Sequence, residues 1–461
     1  MMTLGEAARA VGGTLRGADI GFDGVTTDSR ALRPGQFFVA LRGERFDAHD
    51  FVADVLAAGA AGVLVDVPWA AAHPDIGPVV VVKDTRLALG QLAAEWRRGF
   101  KIPLVGVTGS NGKTTVKEMC AAIFSAHFGA DAVLATQGNL NNDIGLPLTL
   151  LGLRTAHRAA VIEMGMNHAG EIAYLTRIAA PTVAVVNNAQ RAHLEGLGSV
   201  EAVACAKGEI FEGLAADGIA VLNLDDPCFP IWRDVAQGVV HLRFGFDAAA
   251  DVSAAVQPGP LGSLLNLRTP QGSISVTLHV PGLHNARNAL AATAVGLAAG
   301  VPLTTIAAAL SSYAGVKGRL QQKQGQHGAL VLDDTYNANP DSMKAAVDVL
   351  SMMPGRRVMV VGDMGEVGEA GGQFHDELGG YAKSMGVDRL YCLGELSPAA
   401  AHTFGEGGAH FTRIDDLIRA VKHELNAETT VLVKGSRFMR MERVVEAIVE
   451  KREGSGVRRE A

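Results

Sequence analysis

The segment TGSNGKTT (108–115) places a glycine-rich loop between an apolar strand and a helix. It restricts the folds and functions open to this chain more than any other stretch. Such a loop points successive backbone N–H groups at a phosphate chain. We expect Lys113 to hold the β- and γ-phosphates and the Thr114 hydroxyl to reach Mg²⁺. The first glycine of G-x-x-x-x-G-K-[ST] falls on Val107, so the loop is a variant. A glycine turn with a solvated lysine is the alternative, but the flanking strand and helix favour nucleotide binding.

The pattern of apolar runs predicts an α/β protein of three domains. Apolar runs at 159–164, 182–187 and 218–223 alternate with helical patterns, which indicates a mainly parallel sheet covered on both faces. A small α/β domain over 1–98 precedes this central P-loop domain, which we place at 99–316. The Gly- and Gln-rich stretch 313–328 suits a connection. A Rossmann-like α/β domain over 317–461 follows, with a loosely ordered tail, EKREGSGVRREA.

Charge and cysteine content exclude several classes of protein. Lys and Arg number 41 and Asp and Glu 48, so a net charge of −7 makes nucleic acid an improbable partner. Four scattered cysteines form no C-x-x-C pair, which is typical of a reducing cytoplasm. The charge-free stretch 289–310 is long enough to span a bilayer. We instead predict two helices, the first stopped by Gly300 and Pro302 and the second capped by Thr304 or Thr305, and hence no transmembrane segment.

Three further side chains are candidates for the nucleotide site. Glu163 ends one predicted strand and His193 follows the next, where metal ligands gather at the carboxyl edge of a parallel sheet. Each residue could equally be a hydrogen-bonded loop residue. Lys207 lies in a largely apolar run, where an ammonium ion is costly to bury. Its alternative is a helix lysine whose charged end reaches solvent.

Together these motifs resemble those of the Mur ligases, ATP-dependent amide-forming enzymes of peptidoglycan synthesis. The resemblance runs nearly end to end and rests on TGSNGKTT, EMGMNHAGEI (163–172), AHLEG (192–196), AKGEIF (206–211), HNARNALAA (284–292) and KGSRFMRME (434–442). Three more segments are similar to the branch of the family that adds a dipeptide: GNLNNDIGLPLTLL (138–151), DDTYNANPDSM (333–343) and VVGDMGEVG (360–368).

The resemblance implies a role for individual residues. It implies ATP binding by Thr108, Gly109, Ser110, Asn111, Gly112, Lys113, Thr114, Thr115, Asn288, Arg319 and Asp334. It implies catalytic roles for Lys113, Glu163, His193 and Lys207. Thr114, Glu163 and His193 would hold Mg²⁺, and Lys207, once carbamylated, would face a second Mg²⁺. The N-terminal Thr27, Asp28, Ser29 and Arg30 would seat a uridine nucleotide, Asn139 and Asn142 a muramoyl-peptide, and Tyr336, Asn337 and Asn339 a dipeptide.

The activity that the resemblance implies is transfer of the ATP γ-phosphoryl group to UDP-N-acetylmuramoyl-tripeptide, followed by attack of D-Ala-D-Ala on the acyl phosphate. The cofactors implied are ATP and two Mg²⁺ ions, and we expect a monomer whose last domain closes over the central one. Another Mur-type ligase, a folylpolyglutamate-type ligase and a P-loop ATPase that hydrolyses ATP only to change shape are the alternatives.

Overall fold

The computed structural model describes residues 1–450. The tail predicted to be loosely ordered lies outside the described residues, apart from Glu450. Within the described part, no helix combines the length and apolar character needed to cross a membrane. The α/β class with three successive sheets agrees with the sequence prediction.

The N-terminal part is built on a five-stranded sheet that is parallel except for one edge strand, Thr14–Arg16. Its strand order is Thr14–Arg16, Val79–Val82, Gly62–Asp66, Phe37–Val39, Val25–Thr26. A short pair, Met2–Thr3 and Gly21–Phe22, lies beside it. The helices are Leu4–Ala10, Val52–Ala57, Val67–Ala72 and Thr85–Arg98, with 3₁₀ turns at Ser29–Ala31 and Ala48–Phe51.

The central sheet has six strands, all parallel. Their order is Val240–Phe244, Ile219–Asn223, Val183–Val186, Leu104–Thr108, Ala159–Glu163, Val133–Ala135. Every residue of the three middle strands is buried, as expected where helices cover both faces. The three apolar runs predicted as strands are therefore confirmed.

Helices pack on both faces of the central sheet. They are Lys113–Phe128, Gly145–Leu150, Glu171–Ala179, Leu194–Leu197, Val200–Gly208, Phe229–Val235, Leu283–Ala298 and Leu303–Ser311, with 3₁₀ turns at Ala130–Ala132 and Glu209–Gly213. The charge-free stretch does form two helices. The predicted cap is wrong, however, because Pro302 occupies the N-cap with φ −60° and Leu303 is already helical, so Thr304 and Thr305 fall inside the first turn.

An antiparallel three-stranded sheet, Ser253–Gly259, Gly262–Thr269 and Gly272–Leu278, was not anticipated from the sequence. Its middle strand alternates, with Leu265 and Leu267 buried in the same core as the helix Leu283–Ala298. Exposed Asn266 and Arg268 alternate with these leucines, which is the period of two expected of a strand with one buried face. This sheet extends the core beside the nucleotide site without lining it.

The C-terminal sheet also has six strands and is parallel except for its edge strand Gln321–Gln324. The order is Gln321–Gln324, Leu330–Asp334, Thr429–Lys434, Arg356–Gly362, Arg389–Leu393, Gly408–Phe411. The helices are Pro340–Ser351, Gly371–Ser384, Pro398–Phe404, Ile414–Glu424 and Glu442–Ile448, with 3₁₀ turns at Gln326–Gly328, Gly368–Ala370 and Arg437–Met439. Part of the stretch predicted as a connection is thus the polar edge strand.

Candidate active site

The glycine-rich loop lies between the buried strand Leu104–Thr108 and the helix Lys113–Phe128, as the sequence predicts. Gly112 is the N-cap of that helix and has φ +79°. A Cβ atom there would lie 2.4 Å from Asn288 Oδ1 and 2.5 Å from Asn187 Nδ2, so only glycine fits. The free N–H groups of the first helical turn therefore face the cavities described below.

Lys113 is folded back over its own loop. Its Nζ donates a hydrogen bond to the Gly109 carbonyl at 2.7 Å. Burial lowers the pKa of Lys113, while the nearby Glu163 carboxylate acts in the opposite direction. The ammonium group thus lies at the loop, where an incoming phosphate would exchange for a backbone carbonyl.

Glu163 ends its strand with one carboxylate oxygen satisfied and one free. Oε1 accepts a hydrogen bond from Asn141 Nδ2 at 2.8 Å, whereas Oε2 is buried without a hydrogen-bond partner among residues 1–450. The residue is 3% exposed. A buried carboxylate oxygen with no donor is costly unless a cation meets it, so the local chemistry fits a metal ion.

The other two predicted metal ligands have protein partners in this structure. Thr114 Oγ1 accepts a hydrogen bond from Arg319 Nη2 at 3.1 Å, and His193 Nδ1 lies 2.8 Å from Glu366 Oε2. The His193 hydrogen bond lowers the pKa of Glu366. Across residues 1–450, no group of three or more His, Cys, Asp and Glu side chains is arranged to hold a metal ion. A metal here would therefore draw on the Thr114 hydroxyl, phosphate oxygens or water in addition to Glu163 and His193.

Lys207 is buried on the helix Val200–Gly208 at 1% exposure, so its charged end does not reach solvent as the alternative interpretation required. Burial lowers the pKa of Lys207 well below the ordinary range, and the positive charge of Lys113 lowers it further. Burial therefore shifts the protonation equilibrium of Lys207 towards the uncharged amine.

A cavity of about 430 Å³ lies beside the phosphate loop, and six residues predicted to bind ATP line it: Asn111, Gly112, Thr115, Asn288, Arg319 and Asp334. Asn288 Oδ1 accepts a hydrogen bond from Asn187 Nδ2 at 2.8 Å, and Asp334 Oδ2 accepts one from Lys434 Nζ at 2.6 Å. We call it the nucleotide cavity.

Sequence reasoning missed several residues that line the nucleotide cavity: Asn188, Asn223, Asp225, Asp226, His284, Arg287 and Lys434. Four of them, Asn188, Asn223, Asp225 and Asp226, end a central strand or lie within three residues of its carboxyl end, which is similar to the signal that selected Glu163. Burial raises the pKa of Asp226 and lowers that of His284 to about 4, so His284 is neutral near pH 7.

A second cavity, of about 690 Å³, lies where the central and C-terminal sheets face each other, and we call it the reaction cavity. Predicted site residues from both parts of the chain line it: Ser110, Asn111, Gly112, Lys113, Asn139, Asn142, Glu163, His193, Arg319, Tyr336, Asn337 and Asn339. The sequence did not single out Arg191, Glu366, Ser436, Arg437 and Phe438, which also line it.

Besides the Arg319–Thr114 and His193–Glu366 contacts, two further sets of polar contacts join the two sides of the reaction cavity. Asn111 in the phosphate loop and Asn339, the N-cap of the helix Pro340–Ser351, exchange side-chain hydrogen bonds of 3.2 and 2.8 Å. Arg191 Nη2 donates to Asp341 Oδ1 at 2.8 Å, and Arg191 Nη1 to Glu377 at 3.1 Å. Asp341 lies in the first turn of the helix Pro340–Ser351, and Glu377 lies in the helix Gly371–Ser384.

The N-terminal residues 27–30 lie away from both cavities. Arg30 Nη2 donates to Asp28 Oδ2 at 2.8 Å, and this hydrogen bond lowers the pKa of Asp28. The Arg30 side chain is 88% exposed. This segment is therefore open to a ligand but does not touch the phosphate loop.

Comparisons with known proteins cover nearly the whole chain. Family models match in three parts: "Mur ligase family, catalytic domain" over residues 21–97, "Mur ligase middle domain" over 107–296 and "Mur ligase, glutamate ligase domain" over 318–437. An Escherichia coli protein named UDP-N-acetylmuramoyl-tripeptide–D-alanyl-D-alanine ligase is 47% identical, with 97% of this chain and 98% of the relative covered.

Solved structures of Mur ligases are also similar to this chain over nearly its whole length. A crystal structure of MurF from Acinetobacter baumannii has a TM-score of 0.89 at 37% identity, covering 96% of this chain and 98% of that one. A MurF ligase from Thermotoga maritima in complex with ADP has a TM-score of 0.79 at 29% identity, covering 92% of this chain and 96% of that one.

Proposed function

The chain belongs to the Mur ligase family, and from that premise we infer that it is an ATP-dependent ligase joining D-alanyl-D-alanine to UDP-N-acetylmuramoyl-tripeptide. The products are the pentapeptide, ADP and phosphate. The observation that carries this inference is the juxtaposition of the phosphate loop, its nucleotide cavity and a larger cavity lined by both the central and C-terminal parts. A ligase needs such a second chamber, because two further substrates must meet the γ-phosphate.

The reaction passes through an acyl phosphate. A carboxylate oxygen of the tripeptide attacks the γ-phosphorus, and the bond to the ADP oxygen breaks. The uncharged amine of the dipeptide then attacks the acyl carbon, loses a proton, and the tetrahedral intermediate expels phosphate. We propose that Lys113 and the backbone N–H groups of residues 109–115 neutralise the phosphate charge in both steps. The remaining predicted ATP contacts, Asn288, Arg319 and Asp334, would orient the nucleotide.

Mg²⁺ is a further part of the proposal. Thr114, Glu163 and His193 would hold one ion, and the unpartnered Glu163 Oε2 is the feature that favours it. Bound Mg²⁺ would supply positive charge between the phosphate oxygens and the substrate carboxylate. The Arg319 contact to Thr114 and the Glu366 contact to His193 would then give way to the ion.

We also propose that Lys207 is carbamylated. The reaction requires a neutral amine, which burial of Lys207 provides. The amine nitrogen bonds to the carbon of CO₂ and releases a proton to solvent, which converts the neutral amine into a carbamate anion that would be able to face a second Mg²⁺. The carbamate would also place a negative charge near the ammonium group of Lys113, so that opposite charges lie near each other.

The substrates are assigned to three domains, over 1–98, 99–316 and 317–461. Thr27, Asp28, Ser29 and Arg30 would seat the uridine nucleotide, Asn139 and Asn142 the muramoyl-peptide, and Tyr336, Asn337 and Asn339 the dipeptide. We expect a cytoplasmic monomer that does not bind nucleic acid and whose C-terminal domain closes over the central one during turnover. Closure would exclude water that otherwise hydrolyses the acyl phosphate.

The test is phosphate release from ATP and Mg²⁺ by the purified protein. UDP-N-acetylmuramoyl-tripeptide and D-Ala-D-Ala are supplied separately and then together, and products are weighed by mass spectrometry. Release that needs both substrates and yields the pentapeptide mass is the expected result. Steady hydrolysis that is indifferent to both would instead identify an ATPase that uses the nucleotide only to change shape.

A further inference from the structure

The segment KGSRFMRME carries part of the family resemblance but has no role in the reaction as described so far. It follows the strand Thr429–Lys434 at the carboxyl edge of the C-terminal sheet. Ser436 ties this segment to two other loops, since its Oγ accepts from Gly365 N at 2.7 Å and donates to the Ala338 carbonyl at 3.2 Å. Arg437 and Phe438 are therefore presented to the reaction cavity from a fixed backbone.

Five Lys and Arg side chains line the reaction cavity in the part of the chain that the structure describes: Lys113, Arg191, Arg319, Lys434 and Arg437. Each of the first four already contacts the phosphate loop or other side chains that line the site. Lys113 lies on the phosphate loop, Arg191 is held by two carboxylates, and Arg319 reaches Thr114 with its guanidinium over the Tyr336 ring at 4.3 Å. Lys434 is buried and bonds to Asp334 and to the Asn337 carbonyl.

Arg437 differs from these four. Its side chain is 67% exposed, and its contact with a carboxylate is a single one, from Nη1 to Glu442 Oε1 at 3.1 Å. A guanidinium group has five N–H donors, so most of its capacity for an anion is unused. The adjacent Phe438 is 64% exposed and lines the same cavity. An exposed cation beside an exposed apolar ring is suited to a ligand that carries a carboxylate and small apolar groups.

We propose that Arg437 binds the C-terminal carboxylate of D-Ala-D-Ala and that Phe438 contacts its methyl groups; the proposal rests on the function inferred above. The dipeptide amine must reach the acyl phosphate near Lys113 and Glu163. Its carboxylate, about 7 Å away in an extended dipeptide, is repelled by the phosphates and needs a cation on the C-terminal side of the cavity. Arg437 is an exposed cation on that side of the same cavity, and a guanidinium can pair with a carboxylate through two parallel hydrogen bonds.

The first experiment measures kcat and KM for each of the three substrates in the full-length protein. Arg437→Gln should raise the KM for D-Ala-D-Ala about tenfold, while kcat and the KM values for ATP and UDP-N-acetylmuramoyl-tripeptide change less than about twofold. Arg437→Lys should recover part of the loss because it restores the charge. Arg440→Gln is the matched control, since Arg440 is exposed in the same segment but does not line the cavity. Unchanged ADP affinity in calorimetry verifies that the variants are folded.

The second experiment replaces the dipeptide with D-alanyl-D-alaninamide, which keeps the amine and methyl groups but has no C-terminal charge. Wild-type protein should use the amide about tenfold less efficiently in kcat/KM, and Arg437→Gln should treat dipeptide and amide alike. The proposal is overturned if the variant still discriminates, or if its defect falls on UDP-N-acetylmuramoyl-tripeptide or ATP. Failure of the wild-type protein to ligate the dipeptide at all would overturn the proposed function instead, so the two failures are distinguishable.

Discussion

On one wall of the reaction cavity, eight consecutive residues, 108–115, form the phosphate loop. On another wall, three loops meet that are distant in the chain, with Ser436 bonded to Ala338 across 98 residues. The first wall is contiguous, and its glycines and lysine can be identified by their spacing alone. The second is assembled by parallel strands that end at a common sheet edge, so three separate motifs contribute to it and no single contiguous one describes it. In the proposed function, neutralisation of the phosphate charge and recognition of the acceptor therefore depend on segments at different ranges of the sequence.

Lys113→Met should have the largest effect, because it removes the cation of the contiguous wall. We expect ligation to fall about 1,000-fold, since the charge that develops on the phosphoryl group loses its nearest ammonium. Coupled phosphate release at saturating substrates measures it. Lys117→Met, on the same helix but bonded to Glu118 and the Thr136 carbonyl, reports the cost of losing a lysine away from the cavity. Residual activity within tenfold of wild type would mean that the loop does not carry the chemistry.

Lys207→Ala should rank second, with a loss of about 100-fold if a carbamate at this position supplies an anion to the site. Formate or acetate should restore part of the activity by occupying the space left by the carbamate. ¹³C NMR of wild-type protein supplied with ¹³CO₂ should show a carbamate signal that the variant lacks. Absence of both the rescue and the signal would remove the carbamate from the proposal.

Lys207 also predicts a pH dependence of stability. Because burial lowers its folded-state pKa, the unfolded chain binds the proton more tightly, and stability rises as pH increases towards the ordinary lysine pKa of about 10.4. In CO₂-free buffer, Lys207→Met should therefore have a Tm at pH 7 no lower than wild type, together with a weaker rise of Tm between pH 7 and 9. Thermal unfolding by circular dichroism checks both expectations. A marked drop in Tm would show that the lysine stabilises the fold.

Arg191→Met tests the contact between the two walls. Losing the pairs with Asp341 and Glu377 should lower kcat/KM about tenfold, because the C-terminal loops are no longer held against the phosphate loop. Asp341→Asn should reproduce most of the effect. Arg233→Met, whose side chain is about half exposed and pairs with Asp234 away from both cavities, should leave activity unchanged. A variant as active as wild type would show that the walls are held together without this ion pair.

Ser436→Ala should have the smallest effect and act on the assembled wall alone. Without the hydroxyl, Gly365 N–H and the Ala338 carbonyl lose a shared partner, so we expect the KM for D-Ala-D-Ala to rise about threefold. The KM for ATP should not change, because the contiguous wall is intact. Steady-state kinetics with each substrate varied in turn measure the KM for D-Ala-D-Ala and the KM for ATP separately. An equal rise for ATP would contradict the independence of the two walls.

Much of the fold could be predicted because its signals are local. Continuous apolar runs of five or six residues marked the parallel strands, and Gly300 and Pro302 marked the end of a helix. The antiparallel sheet over 253–278 was missed because its strands alternate apolar and polar residues, whereas the prediction rested on continuous apolar runs. The cap of the helix Leu303–Ser311 was misplaced because Pro302 took the position that a threonine was expected to fill.

Some candidate site residues could likewise be predicted from local sequence signals, and others could not. Lys113, Glu163 and His193 could be proposed because each follows a strand or lies in the glycine-rich loop. Glu366, Arg437 and Phe438 lie in two of the motifs that carry the family resemblance, but neither motif shows by itself which of its side chains line a cavity. Their roles, like those of the predicted residues, stay predictions for the experiments above.

The sequence by itself determined the α/β architecture, the phosphate loop and the family, since strand periodicity, loop glycines and the motifs are properties of contiguous segments. Only the tertiary structure decided that Glu163 keeps an unpartnered oxygen, that Lys207 is buried beside Lys113, and that Arg437 is the exposed cation of the reaction cavity. The physical reason is that burial, charge proximity and unused hydrogen-bonding capacity depend on residues brought together by packing across sheets, and adjacency along the chain does not report them.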